Sequence, residues 1–226
     1  MSQSQFSPAH QEAVEPPEAM TTASTPLTPT VTALVADPAP LGLAAFGMTT
    51  FMLSVFNAGI LTTSLSGSVL ALALFYGGGV QVLAGMWEFR NGNTFGAVAF
   101  TSFGAFWLSY WYYVDHIAAH LPAAEAHKAT GLFLLGWAIF TAYMTIASLR
   151  TTAAVAMVFF ALTVTFVLLT IGAYSTGTTG TDVTKAGGYA GLVTAFFAAY
   201  ASFAGVTNAT FKRTMVPTWP LNVGGS

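Results

Sequence analysis

Ala153-Ala154-Val155-Ala156-Met157-Val158-Phe159-Phe160-Ala161-Leu162 decides the fold: it holds no charge, no proline and no alternation of apolar with polar side chains. A membrane β-strand turns alternate residues to lipid and to a lumen over about ten positions, so a run that is apolar on every side is not one. The run continues to Tyr174 with threonine and tyrosine as its most polar side chains. That length matches the roughly 20 apolar residues that carry a helix across a bilayer.

Five further stretches read the same way: Leu43–Leu65, Ser68–Phe89, Thr94–Val114, Gly131–Leu149 and Gly188–Asn208. A short polar turn around Ser66 and Gly67 separates the first two, which makes them antiparallel neighbours. The longer connections are Asp115–Thr130 and Ser175–Gly187. Helices and closed barrels are the structures that satisfy their backbone in lipid, so the reading is an all-α integral membrane protein with six transmembrane helices. Composition agrees: 54% of the 226 residues are hydrophobic and 6% charged, against about 25% charged in soluble domains.

Before these spans, Met1–Ala36 is rich in Ser, Thr, Pro and Glu and has no Lys or Arg. It lacks the basic and apolar regions of a signal peptide and reads as a disordered tail. Residues 37–211 are then the membrane domain and residues 212–226 a C-terminal tail. Six spans put both termini on one side, with Arg90, Arg150, Lys212 and Arg213 against Lys128 and Lys185 opposite. The positive-inside rule makes that side cytoplasmic, in a multi-pass protein of the cell membrane.

The spans exclude more than they declare. A net charge of −2 without a basic patch removes nucleic acid as a partner. Zero cysteines remove disulfides, thiolate metal sites and a cysteine nucleophile. There is no HExxH, no phosphate-binding loop and no lysine within a span for a Schiff base, so neither catalytic residue, cofactor nor metal is expected. His116, His120 and His127 fall in a connecting loop, in water, at a spacing that fits no specific metal site. The inward polar residues are neutral, among them Thr49, Thr50, Asn57, Gln81, Thr101, Thr163 and Thr165. Glu88 is the one acid inside a span, near its end and two residues before Arg90, and is either a functional group or half of a structural ion pair with that arginine. Seven residues after Gln81, it shares a helix face with it, and the two either line a polar stripe or hold two helices together. Gly77, Gly78, Gly79 and Gly85 allow close helix approach. A neutral, aromatic interior suits a small solute better than a cation, which needs carboxylate rings or carbonyl filters.

Two long segments carry a resemblance. Asp37-Pro38-Ala39-Pro40-Leu41-Gly42-Leu43, followed by Phe46-Gly47-Met48-Thr49-Thr50, resembles the NPAPLGL signature of the acetate uptake transporters, or succinate–acetate permeases. Phe75-Tyr76-Gly77-Gly78 through Gln81, Gly85, Glu88 and Gly92-Asn93-Thr94-Phe95-Gly96 to Gly104-Ala105-Phe106-Trp107 is similar to the same family, as are, more weakly, Phe159 to Thr163, Gly188, Gly191-Leu192 and Tyr200. Read physically, Pro38 and Pro40 suit a helix entry, and Asp37 and Asn93 are placed to cap the first and third helices.

The resemblance implies one pore per protomer in a homohexamer, with acetate, related short monocarboxylates or succinate and protons as partners. It implies a constriction of Phe46, Leu162 and, where the family carries Tyr, Phe103. Polar residues lining the pore or its entrance would be Asp37, Thr49, Thr50, Asn57, Gln81, Glu88 and Asn93. Asp37 replaces the signature Asn and adds a negative charge there. An apolar constriction favours a solute that sheds its charge, hence proton-coupled or channel-like passage of a carboxylic acid. Export of ammonium or another small neutral solute, and a non-transporting receptor or scaffold, are the alternatives.

Overall fold

The computed structural model describes residues 35–122 and 124–221. The expected disordered tail lies outside them but for Val35 and Ala36, and so do the last five residues of the chain. Six helices carry the rest: α1 (Ala39–Asn57), α2 (Thr63–Arg90), α3 (Thr94–Tyr112), α4 (Ala126–Ser148), α5 (Ala153–Tyr174) and α6 (Gly177–Phe211). All but α3 are long and apolar enough to cross a membrane. α3 has as many residues as α1, 19, and no charge, but its Trp, Tyr, Ser and Gly lower its apolar weight. The chain is a multi-pass membrane protein.

α5 begins and ends where its sequence says. The Thr152 hydroxyl accepts from the Val155 N–H at 3.2 Å, which satisfies one free donor of the first turn. At the far end Ser175 is extended and Gly177 has φ +65°, so the chain reverses at once into α6. α1 and α2 end by a shared device, a six-residue C-terminal turn built on a glycine. Gly59 (φ +73°) sends its N–H to Phe56 while Ile60 bonds Val55; Gly92 (φ +75°) and Asn93 do the same to Phe89 and Glu88.

Three expectations need correction. The turn between the first two helices is centred on Gly59, not on Ser66 and Gly67, which lie in the tight opening turn of α2 (Thr63–Ser68). The apolar run hides this boundary because Ile60 and Leu61 continue it past the glycine. α6 starts eleven residues before Gly188, so Gly177–Gly187 is helix and not loop. Its Thr- and Gly-rich start is weakly helical alone, and packing decides: a Cβ at Gly187 would meet Leu169 Cδ2 at 2.8 Å, so the backbones of α5 and α6 nearly touch. α4 likewise starts at Ala126, which makes His127 helical.

α2 is not uniform. A wider π-helical turn, Phe75–Val80, interrupts it at Gly77-Gly78-Gly79. α2 pairs with α3 through small residues: a Cβ at Gly85 would lie 2.5 Å from the Thr101 amide nitrogen, and one at Gly104 would lie 2.8 Å from that of Val82. α6 packs on both α1 and α5 in the same manner, Gly47 of α1 against Ala198 and Gly172 of α5 against Thr184. Most buried threonines bond back to the carbonyl four residues earlier, as Thr49 does to Ala45 (2.9 Å), Thr141 to Trp137 (2.7 Å), Thr165 to Ala161 (2.8 Å) and Thr170 to Phe166 (2.7 Å).

Residues 212–221 fold back as a strap. The Asn208 carboxamide accepts from Met215 (2.7 Å) and Val216 (2.9 Å) and donates to the Val216 carbonyl (2.8 Å). The Ala153 N–H then donates to the Trp219 carbonyl (2.8 Å), and Leu221 to Thr151 (2.9 Å). The Ser202 hydroxyl reaches the Pro40 carbonyl at 2.6 Å, so the start of α1 and the end of α6 lie at this same end of the bundle.

Candidate functional site

Five helices enclose a chamber of about 390 Å³ to which α2 contributes nothing. α1 supplies Phe46, Thr50, Ser54 and Asn57; α3 supplies Trp107 and Tyr110; α5 supplies Leu162 and Thr165. The wall is mostly apolar and carries no Asp, Glu, Lys or Arg. Two of its polar groups are buried without a hydrogen-bond partner among the described residues, the Thr50 hydroxyl and the Trp107 indole N–H. Both can donate, and a buried donor left unmade costs about 1–3 kcal/mol, so this wall is energetically ready for an acceptor.

Beyond Asn57 the chamber widens into a vestibule of about 460 Å³, with which it shares Asn57, His127, Ala173 and Thr184. Lys185 also lines the vestibule. At the opposite end a smaller cavity of about 110 Å³ is bounded by Leu43, Asn93, Phe95, Phe100 and Phe159.

Aromatic rings link the wall of the main chamber, at Phe46, to the wall of this inner cavity, at Phe159. Phe46 and Phe103 meet with ring centroids 5.5 Å apart, and Phe103 and Phe159 at 6.0 Å. Phe103 is backed by Phe140 at 5.3 Å and Trp137 at 6.0 Å. Phe46, Phe103, Phe159 and Leu162 are between 2% and 5% exposed, so no open passage crosses them. The structure thus brings together all three residues of the expected constriction: Phe46 and Leu162 on the main chamber, Phe103 within the septum.

The expected polar lining divides. Thr50 and Asn57 line the main chamber and Asn93 the inner cavity. Asn93 also caps α3, its Oδ1 accepting from the Gly96 N–H at 3.1 Å, while Asp37 is exposed and accepts from the Ala39 N–H at 2.9 Å. Thr49, Gln81 and Glu88 line none of the three cavities. Thr49 faces Gly77 of α2, and Glu88 abuts Gly96 at the start of α3. Glu88 thus sits between α2 and α3, while Gln81 is buried away from all three cavities.

Glu88 is fully buried and neither of its oxygens has a hydrogen-bond partner among the described residues. An isolated buried charge costs far more than a neutral amide of the same shape. Glu88→Gln is therefore expected to melt at or above the wild-type temperature in a thermal-shift assay of purified protein, and Glu88→Lys to yield none that folds. A Gln variant melting far below wild type would mean that the carboxylate itself ties α2 to α3.

Sequence reasoning missed Phe159, His127, Thr184 and Lys185. Phe159 faces Phe103 only once α3 and α5 are packed, and periodicity cannot supply that pairing. The other three lie in segments read as loops because they are polar, although they are the first turns of α4 and α6. Among the described residues no three His, Asp or Glu side chains come together as metal ligands.

The chain can be set beside known proteins. The model of the GPR1/FUN34/yaaH family matches residues 19–223. Acetate permease A of Emericella nidulans is 42% identical over 194 residues, 80% of this chain and 65% of that protein. Ammonia transport outward protein 2 of Saccharomyces cerevisiae is 41% identical over 192 residues, 82% of this chain and 67% of that one. The chain therefore spans about two thirds of the length of these fungal relatives. The succinate-acetate/proton symporter SatP of Escherichia coli is 39% identical over 183 residues, 81% of this chain and 95% of SatP. A solved structure described as the bacterial acetate channel SatP superposes with a TM-score of 0.75 at 38% identity, covering 81% of this chain and 99% of that one. With its helices, its septum and these matches in agreement, the chain belongs to the GPR1/FUN34/yaaH family.

Proposed function

We propose that this protein is a transporter and not an enzyme, and that it passes acetate and related short monocarboxylates across the membrane from chamber to chamber through the aromatic septum. One observation carries the reading: Phe103 packs on both Phe46, which lines the main chamber with Leu162, and Phe159, which lines the inner cavity, in a fold shared at 38% identity with an acetate channel. The Thr50 hydroxyl and Trp107 N–H supply donors for a carboxylate just before the septum, each contributing about 1 kcal/mol, enough to select without trapping. The septum offers nothing to solvate a charge, so the solute crosses it best as the neutral acid. Transport is then linked to protons through the solute. The resemblance further supports a homohexamer with one path per protomer, in the cell membrane with cytoplasmic termini.

Uptake of labelled acetate into proteoliposomes tests this. Flux above that of protein-free vesicles is expected, and its absence would overturn the reading in favour of a receptor or scaffold. A second reading, ammonium or ammonia passage, is favoured by the yeast relative named for outward ammonia transport. The same vesicles loaded with ammonium separate the two, because the acetate reading expects the larger flux for acetate.

Leu162 makes the reading specific to solute size. In a packed core Leu→Ala costs roughly 2–5 kcal/mol, but one side of Leu162 already faces the chamber. Leu162→Ala is expected to stay folded and to let larger acids, such as lactate and succinate, compete better against labelled acetate. Phe103→Tyr, which restores the residue the family resemblance implies, should transport as the parent does. An unchanged order of competitors in well-folded Leu162→Ala would remove Leu162 from the constriction.

A further inference from the structure

The vestibule is charged unlike the rest of the path. Lys185 lines it, and no Asp or Glu lines either the vestibule or the main chamber. Lys128, by contrast, is already matched, pairing with Glu125 at 2.9 Å. Lys185 makes no ion pair among the described residues, although Asp182 is one helical turn before it. A Cβ at Gly59 would lie 3.3 Å from Lys185 Cε, so the lysine stem runs across the glycine turn that ends α1. That turn carries Asn57, and Asn57 and His127 line both the vestibule and the main chamber. Three donor side chains from α1, α4 and α6 therefore line one vestibule, which adjoins the mostly apolar chamber.

We propose that Lys185, His127 and Asn57 form an anion-capture site that takes one small carboxylate from solution and holds it at the threshold of the main chamber. This deepens the transport reading and rests on it. The site answers a difficulty of an apolar path: a chamber without charges cannot concentrate an anion from dilute solution. A fixed ammonium charge at a concave mouth raises the local concentration of anions, with a range of about 30 Å at 0.01 M salt and about 8 Å at 0.15 M. The amide and imidazole N–H groups orient the carboxylate, and the Thr50 and Trp107 donors further in can receive it. Lysine suits capture better than arginine here, because a point charge holds an anion without the two-pronged grip that slows its release.

The test uses the full-length protein with two readouts, line broadening of ¹³C-acetate in detergent solution and flux of labelled acetate in proteoliposomes. At 0.01 M salt, Lys185→Gln is expected to raise the concentration for half-maximal acetate binding and flux about tenfold, ~1.4 kcal/mol. Lys185→Arg should restore most of the binding, and the difference should shrink at 0.15 M salt. Flux of acetamide, the neutral analogue, should not change. Acetate binding unaffected by Lys185→Gln, or a loss of acetamide flux equal to that of acetate, overturns the proposal. The two readings fail separately. A wild type that binds acetate through Lys185 but does not pass it sinks transport and keeps the capture site, whereas flux indifferent to Lys185 does the reverse.

Discussion

Valine at Gly188 is expected to abolish the folded protein. Gly188 sits on α6 where the end of α1 crosses it, and even a methyl group there would lie 2.5 Å from the Asn57 carbonyl carbon and 2.6 Å from Ala58 Cα. These are backbone atoms, which cannot rotate away as a side chain does, so α1 and α6 must separate along their length. Overpacking of a soluble core costs about 1–3 kcal/mol where side chains can yield; here the cost exceeds that range. Size-exclusion chromatography of the detergent-solubilised variant should show aggregate in place of the wild-type peak. Gly136, with open space around its Cβ position, is the control: Gly136→Ala should elute as wild type. A monodisperse Gly188→Val protein would mean that α1 and α6 do not cross as closely as described.

The second large effect is functional. Phe46→Ala removes one of the rings that close the path, leaving Phe103, Phe159 and Leu162 around a gap. Because Phe46 faces the main chamber, its loss joins existing space instead of creating a sealed void. Lowering the crossing barrier by roughly 2–3 kcal/mol would raise leak of water and small neutral solutes ~30–160-fold. Light scattering of proteoliposomes under an osmotic step measures this, and an unchanged shrinkage rate in folded Phe46→Ala would place the closure elsewhere.

How much of this was legible beforehand depends on which force decides each residue. Burial in lipid decides the spans, and it writes itself into sequence as long apolar runs; α5 was readable from Ala153 to Tyr174. Helix ends that project toward water are decided by packing and local capping. The Gly59 turn was therefore lost inside an apolar run, and the polar first turns of α4 and α6 were taken for loops. The septum was read through resemblance at Phe46, Phe103 and Leu162, while Phe159 required knowing which faces of α3 and α5 meet. Gln81 and Glu88 show the converse limit. A polar side chain on a membrane helix must face inward, yet inward can mean a path or a seam, and only the three-dimensional neighbours tell them apart.

The threonines that bond to their own helix bear on how the protein is made. A hydroxyl satisfied by the carbonyl four residues back is satisfied before any other helix arrives, so α4 and α5 can leave the translocation machinery singly without carrying bare threonine donors into lipid. α2 cannot. Gln81 Oε1 and both oxygens of Glu88 find no such partner in their own helix. Entry into the bilayer is therefore costliest for α2, and its natural companion is α3, which follows after the three residues Asn91, Gly92 and Asn93 and covers that same face. The pair enters most cheaply as a hairpin, so biogenesis is expected to pause at α2 until the ribosome has delivered α3.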